Sequence, residues 1–203
     1  NTGNELARGM LIHGPPGVGK SLVAMGVVHR LGFTCVPLDA SRVLSKVVGA
    51  SEAAIARAFA AARAAAPCVL LLDQVETLAG HRGAASMGQE GTGDRIVTCL
   101  LTELDGILAK GNAGGGVFVI AMSSNIAQID SALLRPGRLD VHIHLAQPNT
   151  LEQAKQLVDG FASRHPHALS QHELDKHVAK RCVGMTGAQV KGVWERAAVR
   201  AIR

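Results

Sequence analysis

Aromatic residues are almost missing from this sequence: four Phe, one Trp and no Tyr make up 2% of 203 positions. Platforms on which nucleic-acid bases could stack are therefore scarce. There is no run of five like charges either. The net charge of +5 is dispersed along the chain, which suits phosphate ligands rather than a dedicated nucleic-acid arm. Long apolar runs are also absent. The longest, Val117 to Met122, is far short of the ~20 residues needed to cross a bilayer. The cysteines (Cys35, Cys68, Cys99, Cys182) lack metal-ligand spacing and read as buried thiols in a reducing compartment. No signal peptide opens the chain. No initiator Met does so either, and the start Asn1-Thr2-Gly3 is expected to belong to a piece of something longer. No internal repeat is visible.

What is present is an ordinary globular balance, 47% hydrophobic and 18% charged, with enough length for one large domain or a domain with a small satellite. Short apolar runs read as strands at Met10–His13, Thr34–Leu38, Cys68–Leu72, Val117–Met122 and Val141–Leu145. Helical patterns lie between them at 22–30, 51–65 and 94–104, with Ser51 a candidate cap for the second. Alternating strands and helices with apolar strand cores predict a parallel sheet covered on both faces. Gly80 to Gly93 reads as a loop without one rigid shape. After Pro148 the character changes to three helical patterns, 151–163, 171–181 and 186–202, with no strand. The expected domains are an α/β nucleotide-binding part over 1–148 and a helical part over 149–203.

The first strand runs into Gly14-Pro15-Pro16-Gly17-Val18-Gly19-Lys20-Ser21, which fits G-x-x-x-x-G-K-[ST] between a strand and a helix. Glycines let successive N–H groups turn inward as an anion nest, and the helix that follows directs its positive end at phosphates. Lys20 is expected to neutralise the β and γ phosphates, and the Ser21 hydroxyl to reach Mg²⁺. Such a site needs a second acid near the metal at the end of a neighbouring strand, and Asp73 stands there. A helix N-cap is its alternative role. Gln74 follows. It can hydrogen-bond but cannot accept a proton as a general base.

Together, GPPGVGKS, LLLDQ with VETLAG, DRIVTCLLTELDG and ALLRPGRLD resemble, in order and spacing, the AAA clade of AAA+ ATPases, over about Gly9 to Ile202. The resemblance implies a P-loop NTPase fold of α/β class, a five-stranded parallel sheet between helices with a small C-terminal all-helical lid. It implies ATP or ADP with Mg²⁺ as ligands. A Glu that polarises the attacking water normally stands at the place of Gln74. The expectation is thus good nucleotide binding with poor hydrolysis, either through an engineered Glu→Gln trap or through natural degeneracy. By position, Asn125 matches the residue that holds the attacking water. Arg135 and Arg138 match paired arginine fingers serving the neighbouring subunit in a ring, expected to be hexameric. Gly187 and Ala188 match the start of the lid helix near the adenine, where Gln189 replaces the usual acid. Lys46, Val47 and Val48 match a central-pore loop that grips a protein substrate, with Val47 in place of the aromatic. Gly80–Gly93 falls where a second pore loop belongs, or is a plain loop.

VVGASE, ARAAAPC and TGDRIV look most like the second ATPase modules of two-module peroxisome-biogenesis ATPases and are also near valosin-type unfoldases. The resemblance implies an ATPase that remodels or unfolds a protein, as in recycling of peroxisomal import receptors. It would be cytoplasmic, reach a membrane only through adaptors, and take no nucleic acid. The alternative is a non-hydrolysing ATP-binding module that cements a hetero-hexameric ring. Glu76 is not assigned a catalytic role. His142 and His144 share a strand face and read as ordinary strand histidines. His165 and His167 read as loop, and Trp194 as lid core. Glu103 and Asp105 read either as facing a subunit interface or as a solvated helix end.

Overall fold

β-rich runs too apolar to face water must be covered on both sides, and the strands pair accordingly. The computed structural model describes residues 8–44, 49–78, 90–109, 116–165 and 167–201. Strands β1 (Gly9–His13), β2 (Thr34–Asp39), β3 (Cys68–Asp73), β4 (Val117–Ser123) and β5 (Val141–His144) form one parallel sheet in the order β2-β3-β4-β1-β5. Helices α1 (Lys20–Leu31), α2 (Ala40–Val43), α3 (Ala50–Ala64) and α4 (Glu90–Ala109) complete this part. The expected five-stranded parallel α/β sheet is what the chain forms. Both strand parities are buried: Leu11, Leu70, Leu72, Val119 and Ala121 join a core with Ile55, Phe59, Leu100 and Leu104, while Ile12, Val69, Ile120 and Met122 of the other parity are buried as fully. A sheet buried on both faces accounts for the unbroken apolar run of β3.

Two local expectations change. Ser51 does not cap α3. The helix starts one residue earlier, the capping position falls to Gly49 in a left-handed conformation (φ 81°), and Ser51 is buried inside the first turn. Residues 90–93 of the expected loop are the first turn of α4, while 80–89 lie outside the described residues. Ile96, Leu100, Leu104 and Ile107 form a core-facing stripe at helical spacing. Burying it outweighs the roughly 1 kcal/mol that a helical glycine such as Gly93 costs. Cys68 and Cys182 are the buried thiols expected. Cys35 and Cys99 are only half-buried, and all four are free.

The chain divides into two compact units: residues up to Gly14 with Lys20–His144, and Pro15–Gly19 with Leu145–Arg203. In the second unit α5 (Leu151–Ala162) is capped by the Thr150 side chain, which accepts from Gln153 N. The predicted helix over 171–181 is instead three pieces: α6 (Gln171–Glu173), a π-helical stretch Leu174–Ala179, and α7 (Lys180–Cys182). Leu174 and Ala179 both enter the core of this unit. They are five residues apart, a spacing that a regular helix splays and a π turn restores. Helix α8 (Gly187–Ala201) adds Val190, and Trp194 packs against the same core, its ring stacked on His165 at 5.9 Å.

Gly9 opens β1 where a side chain would not fit: an added Cβ would lie 1.9 Å from the Arg138 carbonyl oxygen. Gly9→Ala should therefore cost about 1–3 kcal/mol of overpacking, a fall in Tm of about 3–10 °C. Gly26→Ala, on α1 with open space around the new methyl, should instead gain about 0.5–1 kcal/mol. Thermal denaturation followed by circular dichroism separates the two, and equal melting points would show that Gly9 is not constrained.

Candidate functional site

The first strand ends at His13 and α1 begins at Lys20. Between them Gly14 (φ 149°), Gly17 (φ 80°) and Gly19 (φ 102°) occupy backbone conformations that side-chain-bearing residues avoid, as an inward-turned row of N–H groups requires. Within the second unit Gly17 is doubly constrained. Its carbonyl accepts from Ala188 N at 3.0 Å, and an added Cβ would meet the Ala188 methyl at 2.9 Å. Gly187 starts α8 beside it. Thr186 and Gln189 exchange bonds there, Thr186 N to Gln189 Oε1 at 2.8 Å and Gln189 N to Thr186 Oγ1 at 3.4 Å. Gln189, which stands where an acid was expected, thus closes a capping box as an acid would.

Lys20 is 9% exposed. Its ammonium donates to Gly14 O at 2.8 Å and lies 3.5 Å from Ser124 Oγ. Burial pushes it below the ordinary lysine value, against the pull of Glu76 and then of Asp73. Ser21 is exposed on the first turn of α1. Asp73 closes β3 half-buried, and its Oδ1 accepts from Gln74 N at 2.9 Å. These groups are hard oxygen donors of the kind Mg²⁺ takes, so the residues fit a magnesium–triphosphate ligand. Gln74 has φ 55° and ψ 44°, and it is the single non-glycine with positive φ among the described residues. Such a conformation costs of order 1–3 kcal/mol and gathers at functional sites.

Glu76, given no catalytic role from sequence, and Ser124, which the sequence did not single out, complete this edge. Glu76 Oε1 accepts from Ser124 N at 3.0 Å, which fixes the chain just after β4, while its Oε2 is buried without a partner. The Ser124 hydroxyl lies 3.5 Å from the Lys20 ammonium. The Asn125 side chain accepts from Ala127 N at 3.0 Å and caps the 3-10 turn Ile126–Gln128. The spacing D-Q-V-E, with an acid two residues beyond Gln74, was the one visible hint of Glu76.

Arg135 and Arg138 flank a turn with different surroundings. Arg135 is exposed, and its guanidinium meets no partner among the described residues. Arg138 Nε and Nη2 donate to the two oxygens of Asp105 at 2.7 and 2.8 Å, holding that carboxyl below its ordinary value. Glu103, likewise expected at an interface or in solvent, pairs with Arg63 at 2.8 Å. Lys46, Val47 and Val48 lie outside the described residues. Among the described residues there is no group of three or more His, Cys, Asp or Glu that could hold a metal, and no helix long and apolar enough to cross a membrane.

A family model described as "ATPase family associated with various cellular activities (AAA)" matches residues 10–147. Among curated proteins, the peroxisomal ATPase PEX6 of Komagataella pastoris is 36% identical over 182 residues, 90% of this chain and 15% of that protein. The peroxisomal ATPase PEX1 of Cricetulus griseus is 36% identical over 196 residues, 96% of this chain and 14% of that protein. The chain thus spans about one-seventh of the length of these relatives.

His13, the residue before the glycine turn, stacks on His144 at 5.0 Å between ring centres. Burial first, then His144 and His142, push its pKa below the ordinary 6.5. The unfolded chain therefore takes up a proton near 6.5 that the folded chain still refuses. Stability falls as pH drops through that value and levels off below the folded pKa. His13→Asn should flatten the dependence of Tm on pH between about pH 7.5 and 5.5. An unchanged slope in calorimetric melts across that range would remove His13 as its source.

Proposed function

The chain belongs to the AAA family of ATPases, and from that premise we propose that it binds MgATP at the Gly14–Ser21 loop as one unit of a ring whose ATP turnover remodels a protein substrate. The observation that carries this reading is the turn between β1 and α1, in which Gly14, Gly17 and Gly19 hold positive φ and the Lys20 ammonium is buried with Gly14 O among its acceptors. Such a turn at the start of a helix is suited to phosphate oxygens.

The backbone N–H groups of Gly14, Pro15–Gly19 (prolines excepted) and Lys20 hold phosphate oxygens. Lys20 bridges the β and γ phosphates, and Ser21 with Asp73 would hold Mg²⁺. The ion, when bound, neutralises charge on the phosphate oxygens. Ser124, fixed by Glu76, presents its hydroxyl at the Lys20 end of the site, and Asn125 next to it holds the attacking water. Gly187 and Ala188 belong with the nucleotide at the start of the lid helix, residues 149–203 forming that lid and 1–148 the nucleotide-binding part. A guanidinium from the Arg135–Arg138 turn of a neighbouring copy stabilises charge on the transferring phosphoryl group. The Gln74 carboxamide can orient a water but cannot take its proton, so this chain binds ATP and turns it over poorly. By the family resemblance, the segment Lys46, Val47 and Val48 has the role of gripping the polypeptide. By analogy with the two relatives' names we place the work at the peroxisome, reached from the cytoplasm through adaptors.

Gln74 also supports a second reading, a structural module that holds ATP and strengthens a hetero-hexamer without turning it over. MgATP at a hundredfold excess over Kd should add about 2.7 kcal/mol, a rise in Tm of about 5–10 °C, and Lys20→Ala should abolish the rise. Gln74→Glu should raise steady-state turnover by about 10²–10⁴-fold. A melting point indifferent to MgATP sinks both readings. A strong shift with no gain from Gln74→Glu leaves the structural module.

A further inference from the structure

We infer that the two arginines of the Arg135-Pro136-Gly137-Arg138 turn divide the work: Arg138 is a clamp inside its own subunit, Asp105 on α4 is its positioning residue, and Arg135 alone serves the neighbour's triphosphate. This rests on the ring reading above and departs from a matched pair of fingers.

All three guanidinium nitrogens of Arg138 are engaged inside its own subunit. Its Nε and Nη2 form a two-pronged pair with Asp105, and Nη1 donates to Ala132 O. A planar guanidinium bound by both prongs of a carboxylate is a fixed geometry, not a reaching one. The Arg138 side chain is 20% exposed, whereas Asp105 is 53% exposed. Its backbone is pinned as well: the Arg138 carbonyl lies against Gly9 at the start of β1, and its N–H donates to Arg135 O at 3.1 Å. To meet another subunit's phosphate, Arg138 would have to surrender three donors already in use and expose the Asp105 charge.

Arg135 has the opposite character. Its side chain is exposed with no partner among the described residues, and Pro136 holds its backbone extended, φ −70° and ψ 152°, as a residue before proline prefers. The turn after it is tied by Gly137 N to Asp140 Oδ2 at 3.2 Å and Leu139 N to Leu133 O at 3.1 Å. The clamp thus fixes the base from which Arg135 projects. It joins α4, the strand leading to the glycine turn and the finger in one rigid arrangement.

The test uses the whole chain. Melting points without nucleotide are read for Arg138→Ala, Asp105→Asn, their double variant and Arg135→Ala. Both clamp variants should lower Tm, the double variant should fall no further than the worse single one, and Arg135→Ala should leave Tm within about 1 °C. ATP turnover is then read in the Gln74→Glu background below the melting range. Arg135→Ala should lose about 10³-fold. Asp105→Asn should lose about 10- to 100-fold in kcat, through misplacement of Arg135, with the MgATP-induced rise in Tm unchanged. An Arg138→Ala chain that melts normally yet loses as much turnover as Arg135→Ala overturns the clamp. An Asp105→Asn chain with lowered Tm and full kcat overturns the positioning role. Should Arg138→Ala not fold, Asp105→Asn carries both readouts. The melting cycle needs no nucleotide, so failure of the ring reading would show as loss of turnover response alone.

Discussion

A charged ammonium cannot be buried without acceptors, and the upper edge of the sheet is arranged around that demand at Lys20. Parallel strands bring their carboxyl ends to one edge, where loops can converge. The order β2-β3-β4-β1-β5 sets β4 between β1 and β3. Lys20 follows β1, Asp73 closes β3, and Ser124 follows β4, so the middle strand delivers a hydroxyl 3.5 Å from the ammonium. Glu76 ties the β3 side to the β4 side through the Ser124 N–H. Its charge also opposes the loss of the Lys20 proton more strongly than that of Asp73 does. The parallel order is therefore what makes the glycine turn a charged site rather than a bend.

Much of this could be read from sequence because it is written locally. The apolar runs place all five strands, and the glycine turn needs only its own residues and its position between strand and helix. What escaped was set by register and by partners distant in sequence. The fourth strand reads as ending at Met122 but continues to Ser123. The approach of Ser124 to Lys20 joins positions 104 apart, and no local pattern announces it. The Asn125 carboxamide oxygen caps the turn that follows, and its NH₂ group is a separate donor. Asp105 read as facing an interface or solvent because its partner lies 33 positions away. Gly9 carried no motif at all, since its constraint is the backbone of a turn more than a hundred residues later.

The second unit shows a related economy of small residues. Gly17 needs a left-handed backbone for the phosphate turn and also the absence of a side chain, because Ala188 occupies that space. The two requirements are independent, and only glycine meets both. Pro15–Gly19 belongs with the second unit, where Ala188 N at the start of α8 holds the Gly17 carbonyl. Gln189 keeps the cap of that helix without a negative charge, which leaves the neighbourhood of Gly187 and Ala188 less acidic.

Binding and turnover rest on separable groups here, and that separation gives the two arginines their meaning. The cradle depends on glycines, Lys20, Ser21 and Asp73, none of which changes when the base position carries Gln74 instead of a carboxylate. Under the proposed function, a side chain that can orient water but not deprotonate it would lower the rate of the subunit's own site and leave the phosphate-holding groups as they are. Arg135, by contrast, acts outward in the ring we propose. Its value to a ring depends on the chemistry of the next subunit's pocket, not on the residue at position 74 of its own chain. A subunit slow at its own hydrolysis can therefore still activate a neighbour, provided that the turn carrying Arg135 stays rigid. Rigidity is what the Asp105–Arg138 pair and the close approach at Gly9 supply, and it explains why one arginine of the turn is spent on holding the other.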